Sequence, residues 1–210
     1  MNFTQFQQYI PTLKNVVLGG LEAQFKLAPE IRKRYSEDII KANKPKVSAV
    51  LALFYPGAEN ETKFLLTLRA SYNGTHSAQI SFPGGKKEKN DLNLKHTALR
   101  ETFEEVGIYP KDVEVLKQMT DAYIPPSNFL VTPYIGLTNK TPAFKPNDEV
   151  DTIIQVKLAD LLDDKNVVIK NMNTSYMKNV NVPCFKLNGY IVWGATAMIL
   201  SEIKQIFKSN

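Results

Sequence analysis

The chain has 210 residues, of which 43% are hydrophobic and 22% charged, a composition typical of a globular protein with one sizeable core. Its net charge of +5, spread along the chain, favours acidic ligands without choosing among phosphates, nucleic acid and anionic membranes. Cys184 is the only cysteine, which excludes an intramolecular disulfide. No stretch reaches the roughly 20 apolar residues of a membrane span and no signal peptide is recognisable, so we expect a soluble, cytoplasmic protein.

The predicted elements begin with a weakly patterned segment, residues 1–45, in which Pro29 could open a helix that runs to Lys41. The pattern changes at Lys46. Hydrophobic periodicity then predicts strands at 47–54, 63–68, 79–82, 113–119, 129–137, 152–156, 167–169 and 185–193, and helices at 91–106, 158–162 and 196–207. We therefore expect a helical N-terminal extension (1–45) and one α+β domain (46–210), in which helices cover the faces of a mixed sheet.

A glycine turn and an acidic helix form the segment that carries chemistry. Pro83-Gly84-Gly85 forces a turn, and Gly107 suits a left-handed cap at the end of the helix predicted over 91–106. Residues three and four apart share a helical face. The acidic face comprises Glu101, Glu104 and Glu105, and the small residues Thr97 and Ala98 beside it would leave room for a ligand. The predicted core face comprises Leu99, Phe103 and Val106.

Energetics leave two interpretations of the three glutamates open. Exposed like-charge pairs at this spacing cost only about 0.2–0.5 kcal/mol, so an ordinary solvated face is tolerable. Partly buried carboxylates about 5.5 Å apart would repel by roughly 3 kcal/mol at an effective dielectric of about 20 and would need a counter-ion. Glu104 and Glu105 also lie in the last helical turn, where the macrodipole disfavours negative charge. Carboxylate oxygens are the ligands expected of Mg²⁺ or Mn²⁺.

The segment from Gly85 to Ile108 resembles the Nudix box, G-x5-E-x7-R-E-U-x-E-E-x-G-U with U aliphatic, through its run Arg100-Glu101-Thr102-Phe103-Glu104-Glu105-Val106-Gly107-Ile108. Fourteen residues separate Gly85 from Arg100 instead of thirteen, and Asp91 stands near the place of the first glutamate. Both departures resemble the coenzyme A pyrophosphatase branch of the family.

The resemblance to that branch extends over roughly residues 46–208. Upstream it rests on Leu65-Leu66-Thr67-Leu68-Arg69-Ala70 and Phe82-Pro83-Gly84-Gly85, although Gly74 and Ala78 replace an arginine and a glycine of the branch's pattern. Downstream it rests on Val131-Thr132-Pro133, Glu149-Val150 and Trp193-Gly194-Ala195-Thr196.

The resemblance implies a Nudix-type α/β/α sandwich and metal-dependent cleavage of a diphosphate bond. The implied metal ligands are Glu101, Glu104, Glu105 and the backbone carbonyl of Gly85. The general base is Glu101 or, alternatively, Glu149, and Arg100 orients Glu101 or pairs with Asp91; an ordinary surface salt bridge is the plain alternative. The candidate substrate contacts are Arg69, His76, Phe82 and Tyr123.

The implied substrate is coenzyme A or acyl-CoA, cleaved to 3′,5′-ADP and (acyl-)4′-phosphopantetheine. Two alternatives stay open: a pyrophosphatase for ADP-ribose, NADH or nucleoside triphosphates, and a non-catalytic module that binds nucleotide or RNA. All three glutamates of the box are present and no aromatic-rich basic strand is recognisable, so we expect a small-molecule nucleotide partner rather than nucleic acid or membrane. A homodimer and the role of residues 1–45, as a cap or a dimer interface, are left open.

Overall fold

The computed structural model describes residues 1–70, 79–173 and 179–208. Its helices are α1 (Phe3–Asn15), α2 (Gly20–Phe25), α3 (Glu37–Ala42), α4 (Leu94–Val106), α5 (Leu158–Leu162) and α6 (Gly194–Lys208). Its strands are β1 (Lys46–Pro56), β2 (Thr62–Arg69), β3 (Ile80–Ser81), β4 (Gly84–Lys86), β5 (Glu114–Gln118), β6 (Ala122–Ile124), β7 (Phe129–Leu137), β8 (Val150–Lys157), β9 (Val167–Met172), β10 (Val180–Leu187) and β11 (Tyr190–Val192). Short 3-10 helices lie at Glu30–Arg34, Pro110–Asp112, Pro125–Ser127 and Asp164–Asn166.

The main sheet is mixed, because β1 and β7 pair in parallel over nine residues whereas β1–β2, β2–β8 and β5–β7 are antiparallel. Strand β1 is buried along most of its length, as expected for its apolar sequence. A smaller antiparallel sheet has the order β11-β10-β9.

Strands β1 and β2 pair only near one end, where Phe54 lies opposite Phe64. Beyond that point they separate, and each takes a new neighbour. β4 pairs with β1 around Ala49, and β3 pairs with β2 around Thr67. The connection through Phe82 and Pro83 therefore crosses the opening between the two strands, which creates the recess described below.

Side-chain alternation along β1 gives the sheet two apolar faces. Leu51, Leu53 and Tyr55 point toward α4, in a cluster with Ala98 and Val106. Ala52 and Phe54 point to the other face, in a cluster with residues of α1 and α6. Helices thus cover both faces, and the expected α+β fold with a mixed sheet and an N-terminal helical segment is confirmed.

The structure corrects two predicted elements. The helix expected to run from Pro29 to Lys41 is interrupted, because the Ser36 hydroxyl caps a new helix by accepting from the Ile39 amide (3.4 Å). The strand expected at 185–193 is a hairpin, in which Asn188 and Gly189 both have positive φ, of 49° and 84°. Asn-Gly is the usual turn signal for such a hairpin.

Helix α1 is absent from the sequence-based prediction. It begins at a reciprocal cap, in which the Asn2 side chain accepts from the Gln5 amide and the Gln5 side chain accepts from the Asn2 amide (both 2.9 Å). Phe6 of this helix is buried against Phe54 and Phe207. None of the helices in the described part of the chain is long and apolar enough to cross a membrane.

Candidate active site

A cavity of about 410 Å³ opens where β1 and β2 separate. Its walls come from the glycine turn, from α4, from the loop before β8, from β6 and β7, and from the start of α6. Among its lining residues are Arg32, Arg69, Phe82, Gly84, Gly85, Glu101, Glu105, Phe129, Glu149, Trp193 and Thr196. It is the natural candidate for a ligand site, because it combines an apolar lining with convergent charged groups.

The two glycines of the turn allow the backbone to approach its neighbours closely. Gly84 has φ +152°, and a Cβ there would overlap the carbonyl oxygen of Ala49 in β1. A Cβ at Gly85 would overlap the carboxylate of Glu101. A side chain at either position is therefore incompatible with the observed packing.

Helix α4 is bounded by residues suited to its two ends. The Asn93 side chain accepts from the His96 amide (2.9 Å) at the start, and Gly107 ends the helix in the left-handed conformation with φ 78°. The predicted C-cap at Gly107 is confirmed. Between these caps, Glu101 and Glu105 face the cavity.

Glu105 is the most deeply buried carboxylate of the cavity, with a side chain only 4% exposed. It accepts from the Gly84 amide (3.2 Å) and from Arg69 Nη1 (3.1 Å). Burial raises its pKa to about 7, and the charges of Glu101 and Glu149 act in the same direction, against the attraction of Arg69.

Arg100 lies at the centre of a second charged network. Its Nε and Nη2 donate to the two carboxylate oxygens of Asp91 at 3.0 Å each, and Asp91 is buried. Nη2 also contacts Glu101 Oε1 (3.0 Å) and donates to the Lys86 carbonyl (3.2 Å), and Nη1 contacts Glu104 Oε2 (2.9 Å). The Asp91–Arg100 pair is therefore a buried bidentate pair rather than a surface salt bridge.

Arg69 joins the buried and the exposed acidic groups of the cavity. Besides Glu105, its guanidinium contacts Glu149 through Nη2 at 2.9 Å. Glu149, which is 63% exposed, lies in the loop before β8. The structure thus places Glu149 beside Glu105 through a shared arginine, a juxtaposition that sequence spacing alone does not reveal.

The core face of α4 differs from the prediction. Phe103 is 38% exposed and packs on Tyr109 with a ring-centroid distance of 4.8 Å, so its assignment to the core was wrong. The buried face instead includes Ala98, Thr102 and Val106. Thr102 is accommodated there because its hydroxyl donates to the Ala98 carbonyl (2.7 Å).

Thr97 and Ala98 do not leave room for a ligand, contrary to the prediction, because both are fully buried. The Thr97 hydroxyl donates to Asp91 Oδ2 (2.9 Å). His96, which contacts the other Asp91 oxygen through Nδ1 at 3.1 Å, is 46% exposed.

The three glutamates differ in their relation to the cavity. Glu101 and Glu105 line it, whereas Glu104 is half exposed and contacts Arg100 outside the lining. In residues 1–70, 79–173 and 179–208, no three His, Cys, Asp or Glu side chains are grouped closely enough to hold a metal ion.

The donor chemistry of the cavity nevertheless fits a divalent cation. Burial raises the pKa of Glu101 as well as that of Glu105, and the Glu104 and Glu149 charges contribute to the shift at Glu101. Buried carboxylates that destabilise one another's charge are stabilised by a nearby cation. Glu101 and Glu105 are therefore suitable oxygen donors inside the cavity, where Arg100 and Arg69 contact them. Glu104 contacts Arg100 outside the lining and would have to move to join them.

The predicted substrate contacts occupy different places. Arg69 and Phe82 line the cavity, although Phe82 is largely buried. Tyr123 lies outside this lining and borders a second cavity of about 440 Å³, where its hydroxyl donates to Asn128 Oδ1 (2.9 Å). His76 lies outside the described residues, as do Gly74 and Ala78.

Sequence reasoning missed the residues that the two ends of the chain contribute. Arg32 comes from the N-terminal segment, and Trp193, Gly194 and Thr196 come from the start of α6. The Trp193–Thr196 motif was a usable signal for this wall of the cavity. No local pattern distinguishes Arg32 from the neighbouring Lys33 and Arg34.

Comparison with known proteins identifies relatives that match most of this chain. A family model described as NUDIX domain matches residues 45–173. The relative "Nudix hydrolase 22, chloroplastic" from Arabidopsis thaliana is 31% identical over 163 residues, which are 75% of this chain and 54% of the relative. The human "Mitochondrial coenzyme A diphosphatase NUDT8" is 35% identical over 145 residues, which are 68% of this chain and 61% of the relative. The chain thus spans little more than half the length of these relatives.

A solved structure supports the fold independently. The crystal structure of a MutT/nudix family protein from Enterococcus faecalis superposes with a TM-score of 0.53 at 14% sequence identity, over 84% of this chain and 71% of that protein. At such low identity the likeness concerns the fold alone.

Proposed function

Because the chain belongs to the Nudix hydrolase family, we propose that it hydrolyses a diphosphate bond in a nucleotide derivative, with coenzyme A or acyl-CoA as substrate. The observation that carries the proposal is the convergence of Glu101 and Glu105 on the Gly84-Gly85 turn at one cavity. Convergent buried carboxylates suit cation-dependent phosphate chemistry better than either nucleic-acid binding or a solvated surface, since they would repel phosphate unless a cation lies between them.

The proposed cation ligands are Glu101, Glu104, Glu105 and the Gly85 carbonyl. When bound, Mg²⁺ or Mn²⁺ neutralises diphosphate oxygens and lowers the pKa of a water molecule. The chain's own contribution is to orient these groups. Asp91 holds the Arg100 guanidinium in place through two hydrogen bonds, and Arg100 in turn contacts Glu101 and Glu104.

The general base must take the proton of the attacking water. We propose Glu101, because its carboxylate lines the cavity directly beside the glycine turn. Glu149 is the alternative base, since Arg69 holds it at the edge of the same cavity. A Glu149→Gln variant that retained its turnover would favour Glu101.

Coenzyme A is proposed as substrate on two grounds. One is the resemblance of residues 65–70 and 82–85 to the coenzyme A branch, in which Arg69 and Phe82 line the cavity. The other is the human relative named as a coenzyme A diphosphatase. The Gly74 and Ala78 substitutions depart from the branch's pattern, so the substrate is the point that needs an experiment.

The test is product analysis after incubation with Mg²⁺ or Mn²⁺. Coenzyme A, acetyl-CoA, ADP-ribose, NADH and a nucleoside triphosphate are supplied separately at equal concentration, and products are resolved by chromatography. We expect 3′,5′-ADP and 4′-phosphopantetheine from coenzyme A, and no turnover when the metal is removed by EDTA. Rapid cleavage of ADP-ribose with coenzyme A inert would contradict the substrate assignment, and turnover of no diphosphate would favour a binding module.

A further inference from the structure

Arg32 introduces a buried positive charge into the cavity from a part of the chain that precedes the family-model match at residue 45. The residue is only 7% exposed, and it lines both this cavity and the second one. Nη1 donates to the Tyr123 carbonyl (3.0 Å), which ties the side chain to β6. A guanidinium keeps its charge at every accessible pH, so Arg32 brings a permanent positive charge to a ligand-sized cavity.

The guanidinium is hydrogen-bonded to β6, whereas Glu105 is hydrogen-bonded to the glycine turn in β4. Tyr123 is in β6, and β6 is followed across the sheet by β7, β1 and β4, which carries Gly84 and Gly85. Three strand spacings of about 4.8 Å separate β6 from β4, roughly 14 Å in all. This is the length scale of a nucleotide rather than of a single phosphate, so Arg32 is positioned to contact a part of the substrate remote from the scissile diphosphate.

The surroundings of Arg32 suit an anion. An ideal Cβ on Gly194 would lie 3.6 Å from Arg32 Nη2, and Gly194 is the first residue of α6. The backbone amides at the start of a helix favour negative charge, which here adds to the charge of the guanidinium. Ile191 and Trp193 line the same part of the cavity and offer apolar surface for a ribose or a base.

We infer that Arg32 is a specificity-determining residue that binds a phosphomonoester on the nucleotide half of the substrate, such as the ribose 3′-phosphate of coenzyme A. The inference rests on the proposed function. A guanidinium matches the oxygens of a phosphate with paired hydrogen bonds and keeps its charge at every accessible pH. ADP-ribose and NADH carry no such group, so Arg32 would separate coenzyme A from those competing substrates.

The test compares binding of adenosine 3′,5′-bisphosphate with that of adenosine 5′-monophosphate, by calorimetry and without turnover. The variants are Arg32→Met, which keeps an unbranched stem of similar length and removes the charge, and Arg34→Met as the matched control. Arg34 belongs to the same 3-10 helix but is exposed and outside the cavity lining.

We expect the unmodified protein to prefer the bisphosphate by at least about tenfold, the effect of one hydrogen-bonded charge. In Arg32→Met the ratio of the two dissociation constants should fall close to one, with 5′-monophosphate binding unchanged, while Arg34→Met keeps the full preference. A folded Arg32→Met protein that retains the preference would overturn the inference, and so would an unmodified protein that shows none.

Arg32→Lys covers the case in which the methionine variant does not fold. It keeps the charge but not the planar fork, and we expect a several-fold loss of preference; an unchanged ratio would count against the inference. Turnover assays separate the two proposals. If the protein cleaves coenzyme A but its preference for the bisphosphate does not depend on Arg32, only the role of this residue is refuted. If the preference depends on Arg32 but no diphosphate is cleaved, only the proposed hydrolase activity is refuted.

Discussion

Several side chains of this site each have more than one hydrogen-bond or ion-pair partner. Arg100 contacts Asp91, Glu101, Glu104 and the Lys86 carbonyl with the five N–H groups of one guanidinium. Glu105 is held by Arg69 and the Gly84 amide. Exposed ion pairs contribute little to stability, but these groups are partly or fully buried. Even a conservative replacement of one of them should therefore change the geometry and the chemistry of the site.

Replacing Glu104 tests its assignment as a cation ligand. We expect Glu104→Gln to lower kcat by at least about 100-fold with an unchanged melting temperature, because the side chain is half exposed and outside the apolar core. Steady-state kinetics and a circular-dichroism melt measure the two effects. Glu114→Gln is the control, since Glu114 forms only a surface pair with Lys14; full activity in Glu104→Gln would reduce the ligand set to Glu101, Glu105 and Gly85.

Replacing Phe103 tests how much this single side chain contributes to the free energy of unfolding. Its contact with Tyr109 is largely exposed, so Phe103→Ala should destabilise by only about 0.5–1.5 kcal/mol, the worth of an aromatic pair. Phe54→Ala, at a fully buried site, should cost about 3–5 kcal/mol. Urea unfolding of both variants measures the difference, and equal losses would mean that Phe103 is buried in solution.

At the scale of elements, α4 is fixed to the loop before it by Asp91. The buried Asp91 carboxylate accepts from the Glu88 amide, from the Thr97 hydroxyl and from Arg100, and it also contacts His96. The end of α4 was predictable because Gly107 is a local signal, whereas the helix begins at Leu94, later than the predicted Asp91, because the Asn93 side chain caps it. Its rotation about its own axis was not predictable, because Phe103 and Thr102 exchange the roles that simple hydrophobicity assigns to them.

The Asp91–Arg100 pair predicts a dependence of stability on pH. Hydrogen bonds from Arg100 hold the pKa of Asp91 well below its usual range. A carboxyl whose pKa is lowered in the folded state stabilises the protein above its unfolded pKa of about 3.9, and this stabilisation is lost as the pH falls through the folded value. We expect Asp91→Asn to cost about 1–3 kcal/mol at pH 7, and less as the pH approaches 2.

Urea midpoints of both proteins between pH 7 and pH 2 measure this dependence. The difference between the unmodified protein and Asp91→Asn should shrink below pH 4. A difference that stayed constant over that range would show that Asp91 does not act through its charge.

At the scale of the whole molecule, both ends of the chain complete the central sheet. Phe6 of α1 and Phe207 of α6 pack against Phe54 in the sheet. Glu202 of α6 is fully buried and accepts from the Gly20 amide and from Thr120, which ties α2 and α6 together. The N-terminal helices therefore pack on the central sheet and on α6, and Arg32 of the same segment lines the cavity.

The reactivity of the Cys184 thiol measures whether this packed structure opens. Its thiol is fully buried, in a cluster with Val182 and partly buried Ile31 of the N-terminal segment, and burial raises its pKa to about 11. Since the thiolate is the reactive form, we expect negligible reaction with a disulfide reagent at pH 8 and one reactive thiol per chain in guanidinium chloride. Fast native labelling would show that the smaller sheet opens independently of the rest.

The sequence by itself determined the features that act over a few residues: strands β1, β2 and β7, the end of α4, the glycine turn, and the presence of the acidic residues of the Nudix box. Periodicity, caps and glycine conformation are local properties, so they can be read without the fold. Only the tertiary structure decided that Glu101 and Glu105 face the cavity while Glu104 contacts Arg100. It also decided that Glu149 shares Arg69 with Glu105 and that Arg32 belongs to the cavity lining. Those relations depend on contacts between residues distant in the chain. The pairing of β1 with β4 positions the glycine turn, and the pairing of β2 with β8 brings Glu149 to Arg69.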